Sequence, residues 1–270
     1  MTDAVLPPLL LLGGGKMGSA MLAGWRERGV SRVVVIDPGA EAQALAGDGV
    51  EVVPSIGAVP AGFAPGAVIL AVKPQMAEAA VDGLARFAGE AVIVSIMAGI
   101  TINWLAGRFP GGAIVRAMPN TPAAVRQGIT VAVAGAGVAP ARRALAEALL
   151  GAVGDVAMVD DEALLDPVTA ISGGGPAYVF LLVELLEAAA LEQGIPADLA
   201  RRLARQTVIG SAALLAASDQ PADALRRAVT SPKGTTERAL AVLMDDAAWP
   251  DAMRRAIAAA TARSRELASG

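Results

Sequence analysis

Three groups of residues in this chain have the types and spacing to do chemistry. The first is Gly13–Gly14–Gly15–Lys16–Met17–Gly18, in which Gly13, Gly15 and Gly18 fit G-x-G-x-x-G. Leu9–Leu12 precede it as an apolar run of buried-strand type, and Ser19 to Arg28 follows as a predicted helix closed by Gly29. In that setting Gly13 permits a tight turn, Gly15 lets the backbone approach a pyrophosphate, and Gly18 lets the helix pack close to the strand. Free N–H groups at the helix start then face the phosphates. A purely structural turn is the alternative reading, and the second strand decides against it. Arg32–Ile36 ends in Asp37, 19 residues after Gly18, where a carboxylate takes the ribose hydroxyls of a dinucleotide. The second group lies at later strand ends, Ala71–Val72–Lys73–Pro74 and Met97–Ala98–Gly99, and the third in the loop Ser231–Pro232–Lys233–Gly234–Thr235–Thr236.

What is missing narrows the chemistry. The 270 residues contain neither histidine nor cysteine, which removes the commonest general base, any Ser–His–Asp triad, thiolate nucleophiles and a Cys-ligated metal. No metal site is expected. A net charge of −4 with no basic run argues against nucleic acid. The uncharged stretch Val52 to Val72 is interrupted by prolines and glycines, and Met1 to Pro8 lacks a basic n-region. Neither a membrane span nor a signal peptide is expected, and a cytoplasmic location is. The only lysines are Lys16, Lys73 and Lys233, all in Gly- or Pro-marked turns.

The elements that position these residues form two halves. Strands are predicted at Leu9–Leu12, Arg32–Ile36, Val50–Val53, Ala67–Val72, Ala91–Ile96, Ala113–Ala117, Thr130–Ala134 and Val156–Val159, and helices at Ala40–Ala46, from Pro74 to Phe87, from Thr101 and over Ala141–Leu150. Apolar strands without period-2 alternation, interleaved with helices, imply an α/β fold with a doubly wound parallel sheet of Rossmann type. Ligands in such sheets lie beyond the carboxyl ends of the strands, so the first two groups share one crevice. Residues 161–270 read as helical, which puts a dinucleotide-binding domain at 1–160 and an all-α domain at 161–270. Helices are predicted over Ala177–Glu192, Asp198–Ala217, Pro221–Val229, Thr235 to about Met244 and Pro250–Leu267. The first of these is apolar almost all round and must be buried on every side, which calls for a partner subunit.

Val115–Arg116–Ala117–Met118–Pro119–Asn120–Thr121–Pro122, Ser172–Gly173–Gly174–Gly175–Pro176–Ala177–Tyr178 and Ser231–Thr236, with Ala71–Pro74 in the right order, carry a recognisable pattern. From about Leu9 to Leu267 the chain resembles the pyrroline-5-carboxylate reductases, which reduce the cyclic imine 1-pyrroline-5-carboxylate to L-proline with NAD(P)H in the last step of proline synthesis. The resemblance implies a Rossmann domain followed by a helical dimerisation domain, in dimers that often assemble into decamers. It assigns the pyrophosphate to Gly13, Gly15, Lys16, Met17 and Gly18, and the nicotinamide side to Ala71, Val72, Lys73, Pro74, Ala98 and Gly99. Asn120 becomes a further cofactor contact. Ser231, Lys233, Gly234, Thr235 and Thr236 take the substrate, with Thr236 at the ring nitrogen as the catalytic residue. Three positions depart from the pattern. Gly174 replaces a serine, Lys233 replaces the first glycine of S-P-G-G-T-T, and Asp37 stands where small polar or basic residues are more usual.

The chemistry suits such a chain. Reducing a carbonyl needs a proton donor for the developing alkoxide, whereas a protonated imine already carries its proton and needs only hydride. Asp37 favours NADH over NADPH, because it repels a 2′-phosphate and no Arg or Lys lies between it and Ala46. A β-hydroxyacid dehydrogenase is the rival enzyme, but it would want a lysine on the helix Ala177–Glu192, which has none. A dinucleotide-binding protein without activity is the rival of another class; folding alone demands neither the Thr235–Thr236 pair nor the M-P-N-T-P loop.

Overall fold

The computed structural model describes residues 6–269, so residues 1–5 of the segment weighed as a signal peptide lie outside it. Eight strands form one sheet in the order β3-β2-β1-β4-β5-β6-β7-β8. They are β1 (Leu9–Leu12), β2 (Val33–Ile36), β3 (Val50–Val53), β4 (Ala67–Leu70), β5 (Val92–Ser95), β6 (Ala113–Met118), β7 (Gly128–Ala134) and β8 (Gly154–Val159). Helices α1 (Lys16–Glu27), α2 (Ala77–Ala80), α3 (Ile102–Arg108), α4 (Pro140–Leu150) and α5 (Leu165–Val168) belong to the same part of the chain.

Strand composition explains the two covered faces. Leu9, Leu11, Val33, Val35, Ile69 and Val94 point into a core with Met21, Leu22, Trp25 and Leu149, while Leu10, Leu12, Val34, Leu70 and Ile93 point into another with Phe63, Leu84 and Phe109. Alternate residues of one continuous apolar run are buried on opposite sides, as a sheet with helices on both faces requires. Helix α1 lies close to the connection after α4. A Cβ on Gly24 would sit 2.5 Å from the Ala152 carbonyl oxygen, and Trp25 Nε1 donates to the Leu149 carbonyl at 2.9 Å. At the surface, two hydrogen bonds from Arg126 (2.7 and 2.8 Å) hold the exposed Glu27 carboxyl below the usual carboxylate range.

Three features depart from the sequence expectations. The sheet is not parallel throughout: β7 runs antiparallel to β6, and β8 is parallel to β7. The link from Pro119 to Gln127 is too short for the crossover a parallel pair needs, whereas α4 provides one between β7 and β8. The single helix expected over 74–87 is three short pieces, because Gly83 turns the chain with φ +77° before Leu84–Phe87. Ala40–Leu45 is a 3-10 helix, and 162–173, left without element boundaries by sequence, holds α5 and a π-turn at Thr169–Gly173.

The chain divides into two compact units, one of residues up to Gly173 together with those from Ala260 on, the other Gly174–Ala259. The second unit is built from α6 (Gly175–Glu192), α7 (Ala197–Ala216), α8 (Ala222–Ala228), α9 (Thr235–Leu243) and the first part of α10 (Trp249–Ser269). Within Gly174–Ala259 only Ala200 and Ala204 are buried. Helix α6 leaves Phe180, Leu181 and Leu185 more than half exposed.

Candidate active site

The carboxyl ends of β1, β2 and β4 open on a cleft of about 800 Å³. It is lined by Gly13, Gly15, Asp37, Ala71, Val72 and Lys73 of the expected residues. The three glycines are glycine for different reasons. Gly13 has φ +101° and its Cβ would lie 2.8 Å from the Ala71 carbonyl oxygen. At Gly18 a Cβ would lie 2.1 Å from the Gly13 carbonyl oxygen. Gly15 meets nothing within 4 Å, so its bareness serves no contact inside the chain and leaves the loop open on the cleft. No side chain caps the first turn of α1, so the N–H groups there keep their capacity for an outside acceptor. An uncapped, glycine-bared helix start fits a phosphate, and the mainly aliphatic walls beyond Asp37, from Ile36, Pro38, Ile56 and Met76, fit an adenosine.

Asp37 is the polar centre of this cleft. Its Oδ2 accepts the Gly14 N–H at 2.7 Å and its Oδ1 accepts the Gly39 N–H at 2.8 Å. The carboxylate thus ties the glycine loop to the turn after β2. The second bond is an Asx-turn, a signal present in Asp37–Pro38–Gly39 that sequence reasoning passed over. Asp37 also donates its own N–H to the Val53 carbonyl at 3.0 Å, which fixes it to β3.

The other expected residues are distributed as follows. Lys16 opens α1 and is exposed, Met17 is half-buried, and Gly18 is buried. Exposed Lys73 precedes the 3-10 turn Pro74–Met76, with Pro74 in its first position. Ala98 and Gly99 lie in the loop between β5 and α3; Gly99 has φ +76° and faces the Leu267 carbonyl. Asn120 Oδ1 accepts the Ile129 N–H at 2.9 Å, which ties its loop to β7. None of Lys16, Met17, Gly18, Pro74, Ala98, Gly99 and Asn120 lines the cleft. Among the described residues no group of three His, Cys, Asp or Glu side chains could hold a metal ion.

In the second unit, the loop before α9 has its own geometry. Gly234 is the N-cap, so Thr235 and Thr236 occupy the first two helical positions and neither hydroxyl caps the helix. Ser231, Thr235 and Thr236 are exposed. Lys233 has φ +61°, a left-handed conformation that glycine adopts at less cost. Its N–H donates to Glu237 Oε2 at 2.9 Å, which places a carboxylate at the helix start from within the chain.

The glycine assignments separate in experiment. Gly18→Ala should unfold the loop or destabilise the protein by about 2–4 kcal/mol, because backbone oxygen stands where the Cβ must go. Gly15→Ala should keep the unfolding free energy from urea denaturation within about 0.5 kcal/mol and weaken dinucleotide binding instead. Equal stability loss in both variants would contradict the division.

Comparison with known proteins agrees with this geometry. The family description "Pyrroline-5-carboxylate reductase dimerisation" matches residues 162–267, and "NADP oxidoreductase coenzyme F420-dependent" matches 9–99. The pyrroline-5-carboxylate reductase of Pseudomonas aeruginosa is 40% identical over 271 residues, covering 97% of each chain. Among solved structures, a pyrroline-5-carboxylate reductase from Coxiella burnetii superposes with a TM-score of 0.87 at 33% identity, over 96% of this chain and 97% of that one. The Plasmodium falciparum pyrroline carboxylate reductase with NADP bound gives 0.79 at 26%, over 97% and 99%. With near-complete coverage at this identity, a nucleotide-binding sheet followed by the dimerisation helices, the chain belongs to the pyrroline-5-carboxylate reductase family.

Proposed function

We propose that this chain reduces 1-pyrroline-5-carboxylate to L-proline with NAD(P)H. The observation that carries the reading is 40% identity to a reductase of that name along nearly the whole chain. The residues support it chemically. Hydride from bound NAD(P)H adds to the imine carbon of a substrate already protonated on nitrogen, so no side chain need supply a proton in that step. The chain's work is orientation: Gly13, Gly15, Lys16, Met17 and Gly18 hold the pyrophosphate at the start of α1, Asp37 the ribose, and Ala71–Pro74, Ala98 and Gly99 the nicotinamide side, with Asn120 a further cofactor contact.

The substrate carboxylate is received by Ser231 and by the N–H groups of Thr235 and Thr236, with Thr236 Oγ1 on the ring nitrogen; the Gly234 N–H donates to the Ser231 carbonyl at 3.0 Å and so shapes the loop that presents them. Two observations support this loop: a helix start without a side-chain cap, and threonine hydroxyls that neither cap it nor are buried. Glu237 brings a competing negative charge, and on this reading the ammonium of Lys233, the one cation of the Ser231–Thr236 loop, offsets it for an anionic substrate. Thr236→Ala tests the loop. In an assay of NAD(P)H oxidation with pyrroline-5-carboxylate, kcat/KM should fall ~10-fold or more at unchanged cofactor affinity and unchanged stability. Near-normal kcat/KM would remove the loop from the substrate site.

NADH is the preferred cofactor on this reading. The Asp37 carboxylate already sits on the Gly39 N–H, a donor that a 2′-phosphate would want, and it repels the phosphate's charge. Glu41 adds to the repulsion and no cation follows before Ala46. The NADP found in the Plasmodium falciparum enzyme is the competing expectation.

The assembly is a homo-oligomer, at least a dimer, with α6 at the interface; the family resemblance extends it to decamers of a cytoplasmic enzyme. An 18-residue stretch within residues 162–192, with mean hydropathy 1.5, also has the length and composition of a membrane span. The dimerisation match over the same residues supports a second copy as the cover instead. Leu182→Glu and Leu186→Glu should each cost several kcal/mol at the interface and give inactive monomer or aggregate on sizing chromatography. An active, unchanged dimer from both would move the interface elsewhere.

A further inference from the structure

The loop Met97–Ile102 between β5 and α3 is held from behind by a charge pair that no step above uses. Arg116, on β6 beside Ser95 of β5, is a cation with a side chain only 8% exposed. Its Nη1 donates to Glu162 Oε1 at 2.6 Å. The same oxygen accepts the N–H of Ile102, the first residue of α3, at 2.8 Å. Next to this bond, Thr101 Oγ1 accepts the Trp104 N–H at 3.1 Å. One carboxylate oxygen therefore joins strand β6, the end of the loop and the segment after β8. The loop's other support is the last turn of α10. A Cβ on Gly99 would lie 3.0 Å from the Leu267 carbonyl oxygen, and Ser264 Oγ anchors that helix to Asp166 at 2.7 Å.

We propose that Glu162, with Arg116, is a positioning residue for hydride transfer: it sets the Met97–Ile102 loop and through it the nicotinamide end of the cofactor site. The inference rests on the reading that Ala98 and Gly99 line the nicotinamide side. A buried guanidinium needs one compensating carboxylate, and any acidic residue on a neighbouring strand would satisfy that need. Here the carboxylate comes from 46 residues further on and is shared with the first free N–H of α3, where the helix start favours a negative charge. Losing the acceptor frees the loop at Ile102 while the glycine loop and the Asp37 contacts remain. The consequence falls on nicotinamide orientation and not on binding of the adenosine half.

The test uses Glu162→Ala combined with Arg116→Met (the paired variant), which removes the acceptor and the buried cation together, and Glu162→Gln in the same Arg116→Met background, which keeps an acceptor oxygen for the Ile102 N–H and leaves no buried cation unpaired. Hydrogen exchange of the 97–102 segment in the cofactor-free protein, the NADH dissociation constant and kcat are read for each. The paired variant should exchange faster at Ile102 and lose about tenfold or more in kcat, with NADH affinity within about threefold of wild type. Glu162→Gln should restore exchange and most of kcat. Should the paired variant fail to fold, Glu162→Asp, which keeps a charge opposite Arg116 but shortens the reach, should show the same fast exchange and lowered kcat. Wild-type kcat in the paired or Asp variant overturns the proposal. Gly99→Ala, strained at φ +76° and crowding Leu267, tells the reasons apart. If it lowers kcat while the Glu162 variants do not, the loop reading stands and the positioning role falls. If neither does, the loop reading falls and takes the positioning role with it.

Discussion

The Asp37 carboxylate, held between the N–H groups of Gly14 and Gly39, is the interaction on which the nucleotide end of this molecule depends. Charge-assisted bonds of this kind are about twice as strong as neutral ones, and these two close the glycine loop against the end of β2. Around that clamp the steric requirements fall into line. Gly13 and Gly18 are bare because the backbones of 71 and 13 are already there, and Gly15 is bare because nothing in the chain is. The same carboxylate that shapes the loop fills the turn after β2 with negative charge, and on the function proposed above it is also the side chain that selects the cofactor.

The helical unit answers to a different constraint. Only Ala200 and Ala204 are buried between Gly174 and Ala259, so this segment has no core of its own. Burying a large apolar side chain is worth about 1.5–3 kcal/mol, and α6 alone leaves Phe180, Leu181 and Leu185 without that stabilisation in the single chain. An apolar surface of this extent is a surface for assembly, in keeping with the dimerisation match over 162–267.

What was legible in the sequence was local. The glycine turn, the apolar strands and the Thr101 cap each carry their signal within a few residues, and α6 declares its need for a partner by being apolar all round. The breaks come where a distant or backbone-level fact decides. The reversal at β7 follows from the length of the 119–127 link, and Gly83 cuts a helix that the apolar pattern would have continued. Glu162 could not be found by spacing at all, since its partners Arg116 and Ile102 lie 46 and 60 residues away. Asp37 was found for its charge, but its hold on Gly14 spans 23 residues and emerges only in three dimensions.

The central role given to Asp37 is tested most directly by fluorescence titration of NADH and NADPH against wild type and Asp37→Asn. The amide can accept only one of the two N–H bonds and carries no charge. Both cofactors should therefore bind the variant more weakly, and the ratio of their dissociation constants should move toward NADPH by about tenfold, or ~1.4 kcal/mol. A wild-type protein that binds NADPH the more tightly, or a ratio that the substitution leaves unchanged, would contradict it.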